Sequence, residues 1–456
     1  MRNPVRLGCV RWPGVWPWVL LALVLFVGMG VAAFLLPPML FVALLAGGGV
    51  VLAWLLLPEL VIMALLLLRS SVDGLMDLFT LFAGSPLSMN LAGAVNSLAV
   101  GLGLLALVRR LVRRQPPLVA GPGWTYALFL LVCLASIPGA VDPAVSVKEW
   151  ARLASALAIY LMVADVVHDE RGARRFLVIL FASSFVPLLT AWLQWLTGSG
   201  YFFLGAVGTP FAYRPQGTFG HPAALGSYLV ILLTLATAVY FSTGAVRLRA
   251  ALLAWAGVAG GALVLTLART QWLGMMVATL GIGLVKRRRL ALLTLALALL
   301  LLAAVPLLRE RLTSSESLDW RRDLWQVSAG LAWPPTPLGR GLGTSPFYIN
   351  LFLPHVDDPP HNDYLRVGVE LGWLGWLTYS AWLLALMRHA WRAYRRAQEP
   401  ALAWRALGLS AIVMAGAVMS LSDNYLGYTA VQWYLWALIA LVPAAGEWRP
   451  DIPRDI

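Results

Sequence analysis

Apolar runs of roughly 17–23 residues recur from one end of this chain to the other, and no other feature constrains its fold as strongly. A run of that length crosses hydrocarbon as a helix, because lipid offers no partner to an exposed backbone N–H or C=O. Composition agrees: 60% of the residues are hydrophobic and 12% charged, which excludes a soluble globular domain. The expected fold is all-α, a polytopic integral membrane protein. Candidate spans fall at roughly 15–36, 38–57, 60–82, 91–108, 124–140, 147–167, 176–196, 222–243, 250–268, 271–285, 290–308, 372–388, 402–421 and 428–445, about fourteen in all. Arg69, Asp73 and Asp77 make 60–82 the weakest of these, since charge in hydrocarbon is costly. A broken, re-entrant or interfacial segment there lowers the count to twelve or thirteen.

The charges set the orientation. The formal net charge is +13, but the basic residues gather in short turns, so they report topology and not a nucleic-acid partner. Arg2, Arg6 and Arg11 precede an apolar run too long for a signal-peptide core, which reads as a retained first span. With that end inside, Arg109–Arg114, Arg171–Arg175, Arg247–Arg249, Lys286–Arg289 and Arg388–Arg396 all fall on cytoplasmic turns. The C-terminal tail is then also inside. The outer face receives Gly84–Asn90, Asp142–Trp150, Gly198–His221, the tight turn at Arg269, the long loop Arg309–Leu371 and Ser422–Tyr428. Within the long loop, residues 316–332 read as a short amphipathic helix with Leu318, Leu324, Trp325 and Leu331 apolar. Pro334, Pro335, Pro337, Gly339, Gly341 and Gly343 follow as a rigid, turn-rich connection. The chain thus divides at roughly 1–118 (N-terminal helices), 119–308 (central helices), 309–371 (the outer loop) and 372–456 (C-terminal helices and tail). Cys9 and Cys133 have no obvious partners, so no disulfide or metal framework follows.

The most informative stretch is His361 to Gly375, where the outer loop runs into a membrane helix. Pro359 and Pro360 force extended backbone, so the helix begins at about His361. Gly368, Gly372 and Gly375 recur at helical spacing and predict a face open to close approach by another helix. His361 at this mouth is a candidate for chemistry, and equally an interfacial N-cap. Arg214 lies in a turn-rich outer loop and Arg269 at a tight apolar turn with no acidic neighbour in sequence. Each either snorkels to headgroup phosphates or holds an anionic ligand, to which a guanidinium presents a permanently charged fork. His221 reads as a cap, and Lys148 and Glu149 as interfacial pairing groups. Asp423 either orients a histidine or caps the next element. Asp357, Asp358 and Asp363 beside two prolines read as a solvated loop and not as metal ligands. Gly339-Arg340-Gly341-Leu342-Gly343 follows no strand and is not a nucleotide fingerprint.

His361-Asn362, nine residues, then Gly372-Trp373-Leu374-Gly375 resembles the histidine motif in the large periplasmic loop of the bacterial O-antigen ligase family. That family includes related O-antigen polymerases and protein O-oligosaccharyltransferases. The order of Arg214 before Pro-x-Gly-Thr, then Arg269, then the histidine loop is similar too, over roughly residues 120–445. The resemblance implies an all-helical, metal-independent glycosyltransferase of the bacterial inner membrane, with no cofactor and the active site facing the periplasm. It implies essential roles for His361, Arg214 and Arg269, and a supporting one for Asp423. Asn362, Arg340, Lys148 and His221 are further supporting candidates. The partners implied are an undecaprenyl-diphosphate-linked glycan donor, a lipid A–core or glycan acceptor, and membrane lipids. Diphosphate departs without a general acid, so one base and two cations suffice, and the anomeric centre inverts. A histidine at its ordinary pKa of about 6.5 is largely neutral at pH 7 and fit to be that base. Ligation to lipid A–core is the leading expectation and polymerisation onto a carrier-linked repeat its rival. A lipid-linked saccharide transporter, the alternative of a different class, predicts broken helices with midplane charges in both halves, which the sequence does not show.

Overall fold

A computed structural model describes residues 38–76, 78–81, 89–115, 121–202, 213–304, 316–354 and 356–443. The expected span 15–36, the N-terminal arginines, Cys9, Asp77 and the C-terminal tail lie outside these residues. The described chain is mostly helical, its strands limited to two short antiparallel pairs, and is an all-α polytopic membrane protein. In order come α1 (Pro38–Leu56), α2 (Pro58–Met76), α3 (Leu91–Val112), α4 (Pro122–Ser136), α5 (Pro143–Val166), α6 (Glu170–Ala182) and α7 (Phe185–Thr197). They are followed by α8 (Pro222–Ser242), α9 (Val246–Leu265), α10 (Arg269–Lys286), α11 (Arg288–Ala304), α12 (Glu316–Ala332), α13 (Ser345–Asn350), α14 (Asp363–Arg396), α15 (Pro400–Met419) and α16 (Thr429–Ala440). The strands β1 (Thr80–Leu81) and β2 (Met89–Asn90) pair with each other, as do β3 (Tyr201–Phe202) and β4 (Tyr213–Arg214).

Six of the described stretches are long and apolar enough to cross a membrane: Leu91–Val112, Pro122–Gly139, Glu170–Thr197, Pro222–Ser242, Val246–Leu265 and Pro400–Met419. This is fewer than the expected twelve to fourteen spans. Helices such as α2 and α5 carry charges along their apolar lengths and fall outside that set. The doubtful segment at 60–82 is an unbroken helix to Met76, with its charges satisfied internally. Arg69 pairs with Asp73 at 2.8 Å and lies 5.4 Å from the Trp433 ring.

Aromatic packing ties the bundle together. Tyr126 of α4 contacts Trp382 of α14 and Trp436 of α16, with centroids 4.8 and 4.6 Å apart. The two tryptophans stack with planes 6° apart. Leucines such as Leu52 and Leu55 stay outward, as lipid-facing positions require. Basic residues collect at one end of the bundle: Lys286 lies over Tyr394, Arg287 over Phe241 and Trp404, and Arg405, in the second turn of α15, pairs with Glu170. The starts of α10 and α14 and the end of α15 lie at the opposite end.

The glycines of α14 do something other than expected. At Gly372 the backbone leaves the helix (φ 62, ψ −156), in a region open essentially to glycine alone. The break orphans carbonyls before it and amides after it, and the α12–α13 connection satisfies both. Arg340 and Gly341 donate their N–H groups to the carbonyls of Val369 and Glu370 (2.9 Å each), while Trp373 and Leu374 donate to those of Thr336 and Pro337 at 3.0 and 3.2 Å. Gly368 and Gly375 make room within the fold of α14 itself, facing Trp376 and Leu371 respectively. The glycine face therefore accepts a loop and a kink, and no second helix. Gly372→Ala would combine a forbidden backbone angle with a Cβ driven into the Thr336 carbonyl. We expect it to cost on the order of 3 kcal/mol or more, visible as a lowered melting temperature in detergent.

Candidate active site

The segment carrying His361 is pinned on both sides. Before it, the Pro360 carbonyl accepts a hydrogen bond from Trp325 Nε1 of α12 at 2.9 Å. After it, Asn362 caps α14: its Oδ1 accepts from the Leu365 N–H (3.0 Å) and its Nδ2 donates to the Leu421 carbonyl (2.9 Å). Asn362 and not His361 is thus the cap, which leaves the imidazole free. His361 itself takes a left-handed turn (φ 49), which reverses the chain and projects the ring inward. One face of the ring rests on Trp320, with centroids 5.4 Å apart.

The imidazole is oriented through Nδ1, which lies 3.2 Å from Asn424 Nδ2 and 3.8 Å from Asp423 Oδ1. Turned through half a revolution, the Asn424 amide presents oxygen at the same place, so a proton on Nδ1 has an acceptor there and a carboxylate beyond it. Nε2 is then the nitrogen left with a lone pair. Asp423 is 2% exposed and fully engaged: Gln271 Nε2 donates to Oδ2, while the Tyr428 hydroxyl and the Asn424 N–H donate to Oδ1 at 2.7 and 2.8 Å. Burial pushes the Asp423 carboxyl up, but the hydrogen bond and charge of His361, with help from Tyr428 and His221, outweigh it and hold the group down to about 2. Asp423 is therefore an anion throughout the working range.

Cations surround this pair. Arg214, 6% exposed, is held by the pairing of β4 with β3 and by its Nε donating to the Thr266 carbonyl at 2.7 Å. Burial brings its guanidinium down to about 10, a tendency opposed by Tyr201, Asp423 and Tyr428 and reinforced by Arg321, so it remains charged at neutral pH. Arg269 opens α10 after a left-handed turn at Leu267 (φ 51). Arg321 of α12 lies within electrostatic reach of both arginines. It donates Nη1 to the carbonyl (2.8 Å) and hydroxyl (2.9 Å) of Ser422, whose hydroxyl also meets Thr270, the neighbour of Arg269, at 3.3 Å.

His221 joins the group as the cap of α8, its Nδ1 accepting from the Ala223 N–H at 3.1 Å. Burial lowers its pKa to about 4, with Arg214, His361 and Arg321 adding to the effect and Asp423 opposing it. The ring is neutral with its proton on Nε2. Because the folded value lies below the ordinary one, the unfolded chain takes up this proton first. The stability His221 contributes is then whole above about pH 6.5 and is lost as pH falls towards 4. Melting temperatures measured from pH 7 to 4.5 should fall less steeply for His221→Asn, a cap that does not titrate there; identical slopes would contradict this.

A buried ion network braces the same region from behind. Glu149 of α5 bridges Arg152 (2.6 Å) and Arg366 (3.0 Å), and Arg366 pairs with Glu370 at 3.0 Å. Arg152 also donates to the carbonyls of Leu426 and Gly427, fixing the loop that bears Asp423. Glu370 accepts from the Gly343 N–H and the Ser345 hydroxyl, fixing the α12–α13 connection.

Of the residues singled out in the sequence, the structure thus brings His361, Arg214, His221 and Asp423 within electrostatic reach of one another and ties Arg269 to them through Arg321, with Asn362 as the cap beside His361. It leaves two apart. Arg340 is exposed and stacks on Tyr348 (4.9 Å), and Lys148 is exposed on α5 with no polar partner among the described residues. Sequence reading missed Arg321, Trp320, Gln271, Asn424 and Tyr428. Arg321 had a signal: it stands three residues after Leu318 and three before the fully buried Leu324, so it is a charge on the apolar stripe of an amphipathic helix.

Comparison with known families adds a direct finding. Residues 250–380 match the model of the O-antigen ligase family. The match takes in Arg269, Arg321 and the whole of His361–Gly375, and leaves Arg214, His221 and Asp423 outside it. The resemblance drawn from the histidine motif is borne out over that stretch. No curated protein is similar enough to the chain to be matched.

Proposed function

We propose that this chain, an O-antigen ligase/polymerase-type membrane protein by its match over residues 250–380, transfers a glycan from undecaprenyl diphosphate to a sugar hydroxyl, with ligation to lipid A–core as its reaction. The observation that carries this reading is the convergence of one imidazole, oriented through Nδ1, with guanidinium groups around a single anionic carboxylate. His361 Nε2 takes the proton of the acceptor hydroxyl as its oxygen bonds to the anomeric carbon. The bond from that carbon to the diphosphate oxygen breaks, and its electron pair leaves with the diphosphate. Arg214 and Arg269 balance the charge that builds there, and the anomeric configuration inverts. Free energy comes from the donor bond.

The orientation of the molecule belongs to the same proposal. The basic residues Lys286, Arg287 and Arg405 occupy the end opposite the cluster, so the positive-inside rule directs the cluster to the periplasm of an inner-membrane protein, with both termini cytoplasmic. Purified protein in liposomes should convert a synthetic undecaprenyl-diphosphate glycan to a lipid A–core conjugate only when lipid A–core is supplied. Growth of glycan length without lipid A–core would identify a polymerase instead, and absence of transfer to either acceptor would refute the reading.

A further inference from the structure

We infer that Arg321 of α12 is a third ligand of the donor's diphosphate, so that an element outside the membrane-spanning bundle completes the anion site; this rests on the proposed function above. The geometry is that of a bridge. Ser422 receives Arg321 Nη1 on both its carbonyl and its hydroxyl, and the same hydroxyl meets Thr270, next to Arg269. Asp423, the adjacent residue, reaches Gln271 of α10 and His361. Arg321 is therefore held at the seam where α12, the start of α10 and the 421–428 loop meet, beside the imidazole. Among the described residues Ser422 engages only Nη1, which leaves Nε and Nη2 of the fork for an oxyanion. Trp320, the preceding residue of α12, lies against the His361 ring, so this turn of helix, exposed on its outer side, borders the reacting groups on its inner one.

Charge balance points the same way. Three like charges, each within the field of another, are unfavourable by themselves, and Asp423, the carboxylate they face, is already saturated with donors. Counted against Asp423 alone, three guanidiniums leave two positive charges, the number of negative charges on a diphosphate diester, while the buried Asp363 behind it is held by the Ser420 hydroxyl and the Leu426 N–H. With Arg214 and Arg269 alone the site would carry only one. When the glycosidic bond breaks, the diphosphate gains a further negative charge, and a third fork then meets charge that the ground state lacks. A carrier monophosphate, with at most two charges against about three on the free carrier diphosphate, would need fewer cations, so Arg321 is the residue that separates the two.

The test is binding of farnesyl diphosphate and farnesyl phosphate to the purified full-length protein, compared with Arg321→Gln and Arg321→Lys. Wild type should prefer the diphosphate. Arg321→Gln should lose about tenfold or more on the diphosphate and little on the monophosphate, and Arg321→Lys should fall between, as one charge-assisted contact predicts. If Arg321→Gln melts below the assay temperature, Arg321→Lys carries the comparison. A variant that keeps the diphosphate preference, or that loses both ligands equally with a lowered melting temperature, makes Arg321 a clamp on Ser422 and overturns the inference alone. A wild type with no preference for the diphosphate overturns the proposed donor chemistry, and this inference with it.

Discussion

Replacing His361 with alanine should lower turnover about 10²- to 10⁴-fold while leaving donor binding nearly unchanged, because general-base assistance acts on the barrier and the diphosphate is held by other groups. The expectation rests on how the ring is built in. The left-handed turn at His361, the Asn362 cap and the Trp325–Pro360 hydrogen bond fix its backbone without using the imidazole. Removing the ring should therefore spare the backbone, although Asp423 loses a partner, and a cooperative melt with a modestly lowered midpoint is the control. Retained turnover in His361→Ala would remove the base from the mechanism.

The same geometry makes a second-order prediction about Asp423. Its carboxylate touches no reacting atom and acts through Nδ1 of His361, so it is a positioning residue. Asp423→Asn should cost part of what His361→Ala costs, since its one remaining oxygen can still accept from Tyr428 and the Asn424 N–H, while its NH2 replaces the oxygen that Gln271 meets. In the double variant the two losses should not add, because orienting an absent ring has no value. Full additivity would mean that Asp423 serves the cation cluster and not the histidine.

The sequence exposed some of this arrangement and concealed the rest, for physical reasons. Apolar run length predicts helices wherever a backbone must satisfy itself, so α8 and α9 appear close to their expected bounds, and amphipathic spacing does the same for α12. Charge placement in short turns predicts which ends of the helices gather, and Lys286 and Arg287 do gather with Tyr394 and Trp404. Gly372 was visible as a glycine at helical spacing, but spacing cannot tell a packing face from a break. The difference lies in the α12–α13 connection, far off in sequence, which supplies the missing hydrogen-bond partners. Arg321 was hidden differently: amid the mixed charges of the long loop its position on an apolar stripe has meaning only once α12 is seated against α14. Gln271, Asn424 and Tyr428 carry no sequence signal, since an uncharged polar side chain near a membrane end has many uses and only the fold selects one.

Arg214→Lys and Arg269→Lys should each lower turnover, by about tenfold to a thousandfold, although both keep a positive charge. Arg214 spends Nε on the Thr266 carbonyl, one of the five N–H donors that a guanidinium carries on three nitrogens. A lysine has one nitrogen, so it either meets that carbonyl or reaches forward, and cannot do both. Titration sharpens the comparison. Burial brings the Arg214 guanidinium down to about 10 from an ordinary value above 12, which leaves it charged well past neutrality. A lysine suffering the same burial starts from a lower ordinary value and loses its charge at a lower pH than the arginine does. Its cation is the form that holds diphosphate, so the charge is present below that pH and lost above it. The ratio of wild-type to Arg214→Lys activity should therefore widen between pH 7 and 9, whereas the half-exposed start of α10 predicts a flatter ratio for Arg269→Lys. A ratio for Arg214→Lys that stays constant across this range would show that geometry alone, and not loss of charge, disables the lysine. Full activity in both variants would return both arginines to headgroup phosphates at the membrane surface.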